Sequence, residues 1–576
     1  MTNQEIAQIF YELADMLEVK GENRFRVRAF RKAADQIAGH VRSMADIAAG
    51  GTLEEIPGVG EAIAKKIVEI LESGQLTQHR RLRAEIPTAV TALLSIPDVG
   101  PRTARLIWES LGLETIDQVE MAAETGELRK LKGLGPKMEQ TILEGIQRLR
   151  ARQAQPARVL LGDALPVAER LLAGLGECPA VQRADAAGSL RRLRPTVGDI
   201  DLLAASDSPQ AVTDYFVELP EIARVQSHGD TKASVILHNG LQVDLYVLPR
   251  EEYGSLLQHF TGSKRHNIEL RELALSQGLS FSEHGFKQED GSLIRCETEE
   301  EVYGTLGLPW IPPELREAQG EFAAAKQGRL PHLIENGDVR GDLQMHTDAS
   351  DGHDTLAAMA RAAVAKGYEY IAVTDHSQGL GIVQGLSPER VREQRELIDA
   401  LNEELAPFRV LAGIELEIRV DGTLALPDDV LAELDIVLAS VHTSMRQDRE
   451  TMTRRVVAAM HNPHVHIIAH PTGRLINQRD RLNLDFDAVL LAAEETGTIL
   501  EINAQPNRLD LDGEHARAAI EAGVLLSLGT DAHSTEGLGV MPLGVAMARR
   551  GWVEGRHVVN TRPLADLLEI LGRKDS

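Results

Sequence analysis

Cysteine and aromatic residues are scarce in this sequence. The 576 residues include 2 cysteines and 3% aromatic residues, which excludes a disulfide framework and a cysteine-based zinc module. No stretch approaches the ~18 consecutive apolar residues of a membrane-spanning helix. The first residues lack the basic flank and long apolar run of a signal peptide. These absences predict a protein of the reducing cytoplasm that does not cross a membrane.

Basic residues are also fewer than acidic ones, 61 against 87, so the formal net charge is −26 at pH 7. The imbalance is uneven: residues 1–160 hold 22 basic and 22 acidic residues, 161–336 hold 16 and 27, and 337–576 hold 23 and 38. A uniformly acidic surface would repel nucleic acid. The neutral first part therefore leaves nucleic acid open as a partner, and the acidic remainder suits sites that bind cations.

The length predicts about four units, at ~150 residues per domain. Residues 1 to about 155 show amphipathic helical patterns, for example from Glu5 to Met16 and from Arg24 to Ala38. From about 156 to 315, short apolar runs such as DIDLLAA and QVDLYVL predict an α+β region with a small sheet. From Gly337 onwards, runs such as YIAVTDH and IVLASVH alternate with helical stretches, which predicts a parallel, barrel-like sheet.

One pattern occurs three times in the first part: IPGVGEAIAKKI from Ile56, IPDVGPRTARLI from Ile96 and LKGLGPKMEQTI from Leu131. Its glycines allow a hairpin whose backbone N–H groups, at a helix N-terminus, can hold a phosphate oxygen. One copy is often only a turn, but three copies favour binding of a DNA backbone. Asp98 replaces a glycine in the second copy, so we expect weaker binding there. The pattern resembles the helix-hairpin-helix motif, with candidate DNA-binding residues Gly58, Gly60, Val99, Gly100, Gly133 and Gly135.

Two adjacent lysines, Lys65 and Lys66, follow the first hairpin. A lysine amine whose pKa is lowered by its surroundings can form a Schiff base with an aldehyde such as an opened abasic sugar. Residue chemistry alone favours a solvated helix face that attracts phosphate.

Acidic residues with metal-binding spacing follow a glycine-serine pair in GSLRRLRPTVGDIDLL, which starts at Gly188. Asp199 and Asp201 alternate on a predicted strand and project from one face. Asp244, in QVDLYVL, can complete a site for two divalent cations. Gly188 and Ser189 would begin a helix directed at a triphosphate. An isolated D-x-D is more often a solvated strand edge, but the accompanying residues favour a metal site.

This ordered set resembles the nucleotidyltransferase fold, and its spacing resembles family X DNA polymerases such as DNA polymerase beta. The resemblance implies a lyase-like helical domain (1–85), fingers with helix-hairpin-helix motifs (86–155), a palm (156–250), a thumb (251–315) and a linker (316–336). It implies that Asp199, Asp201 and Asp244 are catalytic and bind Mg or Mn. It also implies that Lys66 is the Schiff-base lysine and that Lys32 lines the abasic-end pocket. The implied nucleotide-binding residues are Arg158, Gly188, Ser189, Arg192, Gly198, Phe260, Gly262 and Asn267.

Three positions depart from the pattern of that family. Leu193 replaces the glycine that usually follows the basic pair. In HFTGSKRHN, His259 stands where the beta enzyme has tyrosine, and Gln242 stands where it has arginine. These positions bear on sugar discrimination and on alignment of the primer end.

Histidines and acids mark the ends of the apolar runs in the last 240 residues, which hold 11 of the 19 histidines. In a barrel, the C-terminal ends of the strands lie on one face, so such residues would converge. A single histidine at a strand end is usually structural, but eight acid and imidazole groups suit a Mn, Zn or Fe cluster that activates water against a phosphate ester. The eight are His346, Asp351, His376, Glu415, His442, His470, Asp531 and His533.

This set resembles the polymerase and histidinol phosphatase (PHP) domain, a distorted (βα)7 barrel with a three-metal centre, over about 337–576. The PHP pattern begins with His-x-His, where this chain has Gln344, Met345 and His346. Gln344 is at best a weak ligand, and Asn503 could shape the pocket.

Together the two resemblances imply a bacterial-type family X DNA polymerase with a C-terminal PHP domain. They imply two-metal nucleotidyl transfer from dNTPs on gapped or primer-template DNA, in gap filling and base-excision repair. The PHP domain would act as a 3′-5′ exonuclease, and the chain as a cytoplasmic monomer. Two alternatives stay open: a metal-dependent nuclease or phosphoesterase with an inactive palm, and a DNA-binding scaffold with neither activity.

Overall fold

Three kinds of architecture follow one another along the chain. A computed structural model describes residues 3–39, 44–56, 58–86, 90–91, 93–96, 99–113, 115–153, 158–378 and 385–572. We call 3–153 the helical region, 158–250 the sheet region, 251–336 the thumb region and 337–572 the barrel. An all-helical start, an α+β centre and a parallel barrel confirm the fold class predicted from the sequence.

The helical region has two small hydrophobic cores. One buries Phe10 and Phe30 among the first helices, and the other buries Ile107 and Ile142 among the later ones. The two amphipathic helices predicted from the sequence are confirmed as α1 and α2. The helices are α1 (Asn3–Val19), α2 (Arg24–Gly39), α3 (Met44–Ala49), α4 (Glu61–Ser73), α5 (Thr77–Glu85), α6 (Pro101–Leu111), α7 (Ile116–Glu124) and α8 (Pro136–Gln153).

The three sequence repeats fold alike. In each copy a backbone hydrogen bond closes the hairpin, at 2.9, 3.0 and 3.0 Å along the chain, and a helix begins directly after it: α4, α6 and α8. Gly58 and Gly133 have φ angles of +87° and +100°, which L side chains rarely adopt. Asp98, at the equivalent position of the second copy, lies outside the described residues.

The sheet region is a five-stranded sheet with helices on both faces. The strand order is β2-β4-β7-β6-β5, with β4 and β7 parallel and the other neighbours antiparallel. One face buries Leu202 and Val243 against α9 and α11. The elements are β1 (Val159–Leu160), α9 (Leu161–Gly176), β2 (Arg183–Ala186), α10 (Gly188–Arg191), β3 (Thr196–Val197), β4 (Ile200–Ala205), α11 (Pro209–Val217), β5 (Ile222–His228), β6 (Lys232–Leu237) and β7 (Gln242–Leu248).

The thumb region packs helices on a three-stranded antiparallel sheet. Its core contains Phe281, Phe286 and Tyr303. Residues 316–336, expected from the sequence to be a linker, include a helix whose Phe322 packs into this same core. The elements are α12 (Tyr253–Thr261), α13 (Lys264–Ser276), β8 (Ser280–Ser282), β9 (Gly285–Lys287), β10 (Leu293–Ile294), α14 (Glu299–Thr305) and α15 (Glu321–Lys326).

The last region is a nearly closed barrel of seven parallel strands. The order follows the chain from β11 to β17, and almost all strand residues are buried, as expected for parallel strands covered on both faces. Backbone bonds from His346 to Ala532 (2.8 Å) and from Asp531 to Gln344 (2.9 Å) join the two ends of the sheet. The strands are β11 (Gly341–Asp342), β12 (Tyr370–Val373), β13 (Arg409–Glu417), β14 (Ile436–Ser440), β15 (Ile467–Ile468), β16 (Ile499–Asn503) and β17 (Leu526–Gly529).

Helices surround the barrel strands and begin at side-chain caps. Ser387, Asp448 and Asp512 each accept a hydrogen bond from a backbone N–H of the first turn of the following helix, which satisfies groups that the helix itself leaves unpaired. The helices are α16 (Leu356–Ala365), α17 (Pro388–Leu405), α18 (Asp428–Leu431), α19 (Arg449–Met460), α20 (Phe486–Thr496), α21 (Gly513–Glu521), α22 (Met541–Arg550) and α23 (Leu564–Gly572).

The two cysteines are buried in hydrophobic cores as free thiols. Cys178 lies in the core of the sheet region and Cys296 in that of the thumb region, where a thiol packs as a small apolar side chain. Across the described part of the chain, none of the helices has the length and apolar character needed to cross a membrane.

Glu299, at the start of α14, is the electrostatic anchor of the thumb region. Its carboxylate accepts hydrogen bonds from Arg191, at 2.7 and 2.8 Å, and from the fully buried Arg316. Burial alone would raise the pKa of Glu299, but the two guanidinium groups hold it well below its usual value. The anchor therefore joins the sheet region to the thumb region through buried charge.

Removing this carboxylate leaves buried guanidinium charge unpaired. We expect Glu299→Ala to remove about 3–5 kcal/mol of stability and to lower the midpoint of thermal unfolding measured by circular dichroism. Glu297→Ala is the matched control, because its ion pair with Arg250 at 3.3 Å is exposed and exposed pairs contribute less than about 1 kcal/mol. Equal shifts for the two variants would contradict the role of Glu299.

Candidate functional sites

Two acidic residues of the central sheet lie side by side. Asp201 on β4 pairs in parallel register with Asp244 on β7, and Asp199 lies directly before β4. Because residues two apart on a strand share a face, the three carboxylates occupy one end of one face. Further along that face, Leu203 packs against Tyr253 of α12.

Gly188 fits tightly against these acids. Its φ is +60°, and a Cβ at this position would lie 2.0 Å from Oδ2 of Asp201. The N–H of Ala187 donates to the carbonyl of Asp201 at 2.9 Å, so the turn that starts α10 is tied to β4. Leu193, where the family usually has glycine, has a φ of 52°, so it adopts the left-handed conformation that glycine favours.

The electrostatics of the three carboxylates fit divalent cations. Burial, together with the charges of Asp199 and Asp244, raises the pKa of Asp201 to about 7. Nε2 of Gln242 donates to Oδ1 of Asp244 at 3.2 Å, and Lys232 contributes a nearby positive charge. An all-oxygen donor set with excess negative charge suits Mg or Mn.

The two arginines predicted to bind nucleotide lie beside this acidic group. Arg158 donates to Oγ1 and the carbonyl of Thr196, at 2.9 and 2.6 Å, and a Cβ on Gly198 would lie 3.4 Å from its Nη1. Arg192 is buried, and its Nε donates to Glu317 at 3.0 Å. Ser189, half-buried in α10, lies between Arg158 and Arg192 in the chain.

The other predicted nucleotide-binding residues lie where α12 ends and α13 begins. The ring of Phe260 lies 4.3 Å from that of Tyr246, centroid to centroid. The amide of Asn267 donates to the carbonyls of His259 and Gly262, at 2.6 and 3.3 Å. A Cβ on Gly262 would lie 2.3 Å from Oδ1 of Asn267. Asn267 therefore fixes the shape of this turn, and only glycine fits opposite it.

The first hairpin places two of the lysines in different surroundings. Lys66 is half-buried on α4, whereas Lys65 is exposed and forms an ion pair at 2.6 Å with the glutamate four residues before it. Lys32 lies along Gly58, where a Cβ would be 3.1 Å from its Cγ, and its Nζ is 3.4 Å from Nε2 of His353 in the barrel. The other hairpin residues flank the helix starts: Gly60, Val99, Gly100, Gly133 and Gly135.

The eight acid and imidazole groups predicted from the sequence meet at the C-terminal ends of the barrel strands. Ligand atoms lie within 4.8 Å of one another in three sets. The eighth residue, His470, places Nε2 3.0 Å from Oε1 of Glu415. The three sets are His346, Asp351, His376 and His533; His376, Glu415 and His442; and His346, Glu415 and Asp531.

Buried atoms without hydrogen bonds show that this centre suits cations. Among the described residues, both ring nitrogens of His346, Nδ1 of His376 and Oε2 of Glu415 are buried and make no hydrogen bond. Leaving such groups unsatisfied is costly, and a metal ion would satisfy them. Mixed imidazole and carboxylate donors fit Mn, Zn or Fe.

The imidazoles at the centre have opposite electrostatic surroundings. Burial alone would lower the pKa of His346, but the adjacent Asp531 and Glu415 raise it well above its usual value. Burial lowers the pKa of His376 to about 4, and the neighbouring His346 and His442 contribute to this lowering. A lowered pKa favours the neutral imidazole, which is the form that binds a metal.

Buried carboxylates that were not singled out in the sequence hold the loops of the centre. Asp375 accepts from the N–H and Oγ1 of Thr347, at 2.8 and 2.6 Å. Glu417 accepts from the N–H and Oγ1 of Thr443, at 3.0 and 2.5 Å. Each threonine directly follows a histidine of the centre, a pattern visible in the sequence. Asp510 and Asp342 likewise accept from the N–H and Oγ1 of Thr472 and Thr530, although neither of these threonines directly follows a histidine.

The position of the missing histidine is filled by a buried amide network. Nδ2 of Asn503 lies 3.1 Å from Asp531, 3.3 Å from Glu501 and 3.4 Å from Oε1 of Gln344, so Asn503 positions its neighbours. Nε of Arg508 lies 3.7 Å from Oδ2 of Asp531. Arg508 adds a positive charge beside the centre that no sequence pattern indicated.

Glu415 belongs to two of the three sets, so its loss tests the metal centre. We expect Glu415→Gln to lower the metal bound per chain by roughly one ion, measured by plasma mass spectrometry after dialysis, because the amide retains the shape but removes the charge. Glu433→Gln, at an exposed position paired with Arg392, should bind as much metal as the wild type. Equal metal content in the two variants would show that Glu415 is not a ligand.

Family models match four segments of the chain. The description Helix-hairpin-helix domain matches residues 1–76 and SAM-like Helix-hairpin-helix tandem matches 90–148, so together they include all three repeats. DNA polymerase beta thumb matches 256–317, and PHP domain matches 342–504. These matches agree with the helical, thumb and barrel regions.

Curated relatives extend the similarity to the whole chain. DNA polymerase/3'-5' exonuclease PolX of Bacillus subtilis is 40% identical over 578 aligned residues, which cover 100% of both chains. DNA polymerase lambda of Rattus norvegicus is 26% identical over 55% of this chain and 56% of its own. A probable phosphatase of Thermoanaerobacter is 30% identical over 38% of this chain and 89% of its own. From its full-length similarity and its order of domains, the chain belongs to the bacterial family X DNA polymerases that carry a C-terminal PHP domain.

Proposed function

We propose that the protein is a DNA-directed DNA polymerase that fills short gaps, as in base-excision repair, and that its PHP barrel is a metal-dependent 3′-5′ exonuclease. The register pair of Asp201 and Asp244 beside the turn at Gly188 carries the polymerase proposal. The convergence of eight ligand-type side chains at one end of the barrel carries the exonuclease proposal. Full-length similarity to a relative named for both activities supports the combination.

The incoming dNTP would lie between the acidic face and the turn at Gly188. Backbone N–H groups at Gly188 and Ser189 would contact phosphate oxygens at the start of α10, and Arg158 and Arg192 would neutralise the triphosphate. Gly198 leaves space beside Arg158. At the other end, the turn with Phe260 and Gly262, fixed by Asn267, would face the sugar and base.

Nucleotidyl transfer joins the primer 3′ oxygen to the α-phosphorus and breaks the bond from that phosphorus to the β-phosphate oxygen. Divalent ions at Asp199, Asp201 and Asp244 supply, when bound, the positive charge that activates the 3′-hydroxyl and stabilises the departing pyrophosphate. The β4–β7 ladder holds Asp201 and Asp244 in register. Ligands on paired strands need little rearrangement during the reaction.

The hairpins would hold the DNA backbone on either side of a gap. Their glycines leave the backbone N–H groups at the starts of α4, α6 and α8 accessible to phosphate oxygens. We also propose that Lys66 is a Schiff-base lysine for an abasic sugar. Its half-buried position on α4, beside the first hairpin, supports this role, and Lys32 would line the same pocket.

The exonuclease reaction would take place at the barrel centre. Ions held by the eight ligands supply, when bound, activation of water for attack on the terminal phosphodiester. Arg508 would pair with that phosphate, because its guanidinium lies beside Asp531 at the centre. The buried carboxylates at Asp375 and Glu417 orient the loops that carry His346 and His442.

The metals, the oligomeric state and the cellular location are further proposals, which rest on the donor atoms of each site and on the composition of the chain. We propose Mg or Mn at the sheet, because its donors are oxygens, and Mn, Zn or Fe in the barrel, because its donors include imidazoles. Both sites are complete within one chain, which supports a monomer. Buried free thiols and a DNA substrate support a cytoplasmic location.

The two sites should lose activity independently. On a labelled, gapped duplex, Asp201→Ala should lower primer extension about 10²- to 10³-fold, because the metal site is incomplete, and should leave 3′ trimming unchanged. His376→Ala should do the reverse. Gel analysis with and without dNTPs measures both activities in the same reactions.

Gly188→Ala tests the shape of the polymerase site, because it adds a Cβ beside Asp201 and removes no carboxylate. Its Cβ would displace Asp201, so we expect extension to fall about as far as in Asp201→Ala. Gly240→Ala is the control, since Gly240 also has a positive φ, +83°, but faces open space. A wild type that does not extend primers, or extension that is unchanged in Asp201→Ala, would exclude a polymerase at this site and leave a nuclease.

Lys66 can be tested by covalent trapping. Its amine would bond to C1′ of an abasic sugar with loss of water, and borohydride would reduce the resulting imine. We expect Lys66→Ala to lower trapping to an incised abasic duplex at least about tenfold, while Lys65→Ala traps like the wild type. Equal trapping by Lys66→Ala would assign the reaction to another amine.

A further inference from the structure

The barrel makes hydrogen bonds to the two arginines proposed to hold the triphosphate. Nδ2 of Asn477, in the barrel, donates to the main-chain carbonyl of Arg158 at 3.0 Å. Nη1 of Arg550, at the end of α22, donates to the main-chain carbonyl of Arg192 at 2.5 Å. Both bonds go to the main chain, so they hold the backbone of Arg158 and Arg192 without using the guanidinium groups.

Arg550 also shares a carboxylate with Arg192. Nη1 and Nη2 of Arg550 both lie 3.1 Å from Oε1 of Glu317, and Nε of Arg192 donates to the same oxygen at 3.0 Å. Arg194 lies 3.4 Å from this carboxylate. Three guanidinium groups and one carboxylate leave a local excess of positive charge. Without Arg550, Glu317 would neutralise a larger share of the charge of Arg192.

The surrounding packing leaves little freedom for this contact to shift. A Cβ on Gly162, at the start of α9, would lie 2.8 Å from Cβ of Pro506 in the barrel. A Cβ on Gly513 would lie 2.8 Å from Cβ of Arg550. The sheet region and the barrel are therefore in close contact at Gly162, and Gly513 packs against Arg550 within the barrel. Protein interiors this dense transmit small displacements.

We propose that Arg550 and Asn477 are positioning residues for the incoming dNTP. They fix the main chain of Arg192 and Arg158, and Arg550 shares the negative charge of Glu317 with Arg192, so more positive charge is left for the triphosphate. The proposal rests on the polymerase function. It makes nucleotide affinity depend on the domain that carries the exonuclease site, although neither residue contacts the nucleotide.

The test compares dNTP binding and chemistry in the full-length protein. The affinity for a dNTP is measured on gapped DNA with a dideoxy-terminated primer, where no bond can form, and the maximum rate is measured by single-turnover extension of a normal primer. Arg550→Ala should raise the Kd for dNTP about tenfold, equivalent to about 1.4 kcal/mol, with a maximum rate within about twofold of the wild type. Trimming of 3′ ends should not change.

Two further variants test whether the barrel positions the nucleotide arginines or only stabilises the interface. Arg550→Lys keeps one charged donor and should recover part of the affinity, because an ammonium group lacks the planar fork of arginine. Asn477→Gly removes the donor, and glycine tolerates the φ of 63° at this position, so it should weaken dNTP binding about threefold.

Arg549→Ala is the matched control at the same interface. Arg549 precedes Arg550 on α22 and bonds to Glu314 and to the carbonyl of Ile334, at 2.7 and 2.9 Å, away from both nucleotide arginines. It should leave dNTP affinity unchanged. Equal weakening by Arg549→Ala and Arg550→Ala would reduce the contact to a structural anchor and overturn the proposal.

The remaining outcomes are equally decisive. If Arg550→Ala fails to fold, as judged by circular dichroism, Asn477→Gly and Arg550→Lys decide the question by their dNTP affinity. Wild-type affinity in Asn477→Gly and in the folded Arg550 variants would overturn the inference. A wild type that binds dNTP on the blocked primer but extends no normal primer would exclude the polymerase function alone. Failure to bind dNTP would exclude both.

Discussion

Repulsion among buried acids is the constraint on which both candidate sites depend. Burial and two neighbouring carboxylates raise the pKa of Asp201 to about 7, and burial together with Asp531 and Glu415 raises the pKa of Glu501 well above its usual value. Such groups stay close when the backbone holds them there and a proton or a cation offsets their charge. Strand ladders provide the first condition in both regions, because neighbouring strands fix which side chains stand next to each other.

Small residues and hydroxyl groups complete these sites. Gly188 allows the turn to approach Asp201, and a side chain there would occupy the place of the carboxylate. In the barrel, carboxylates such as Asp375 and Glu417 bind threonines that directly follow histidines of the centre. These bonds fix the loop backbone, so the imidazoles are already oriented before any ion binds. Left-handed backbone at His470 and Asp531, with φ angles of 31° and 52°, shows that two other loops of the centre carry strain.

The packing of the barrel on the thumb region brings charges of opposite sign together. The barrel contributes the largest share of the negative charge, yet it contacts the thumb region through two arginines, Arg549 and Arg550, which pair with Glu314 and Glu317. Basic residues of the barrel therefore face acidic residues of the thumb region. This arrangement connects the nucleotide side of the sheet to the domain that holds the second site.

The sequence by itself determined the elements and the ligands that follow local rules. The three hairpins, the pair Asp199 and Asp201, and the acids and histidines at strand ends could be predicted because each depends on short spacing or on strand periodicity. The pairing of Asp201 with Asp244, the network around Asn503, the charge of Arg508 beside Asp531 and the bonds from Arg550 and Asn477 were decided only by the tertiary structure. These contacts join residues far apart in the chain, and their formation depends on strand order and domain packing, which no local pattern records.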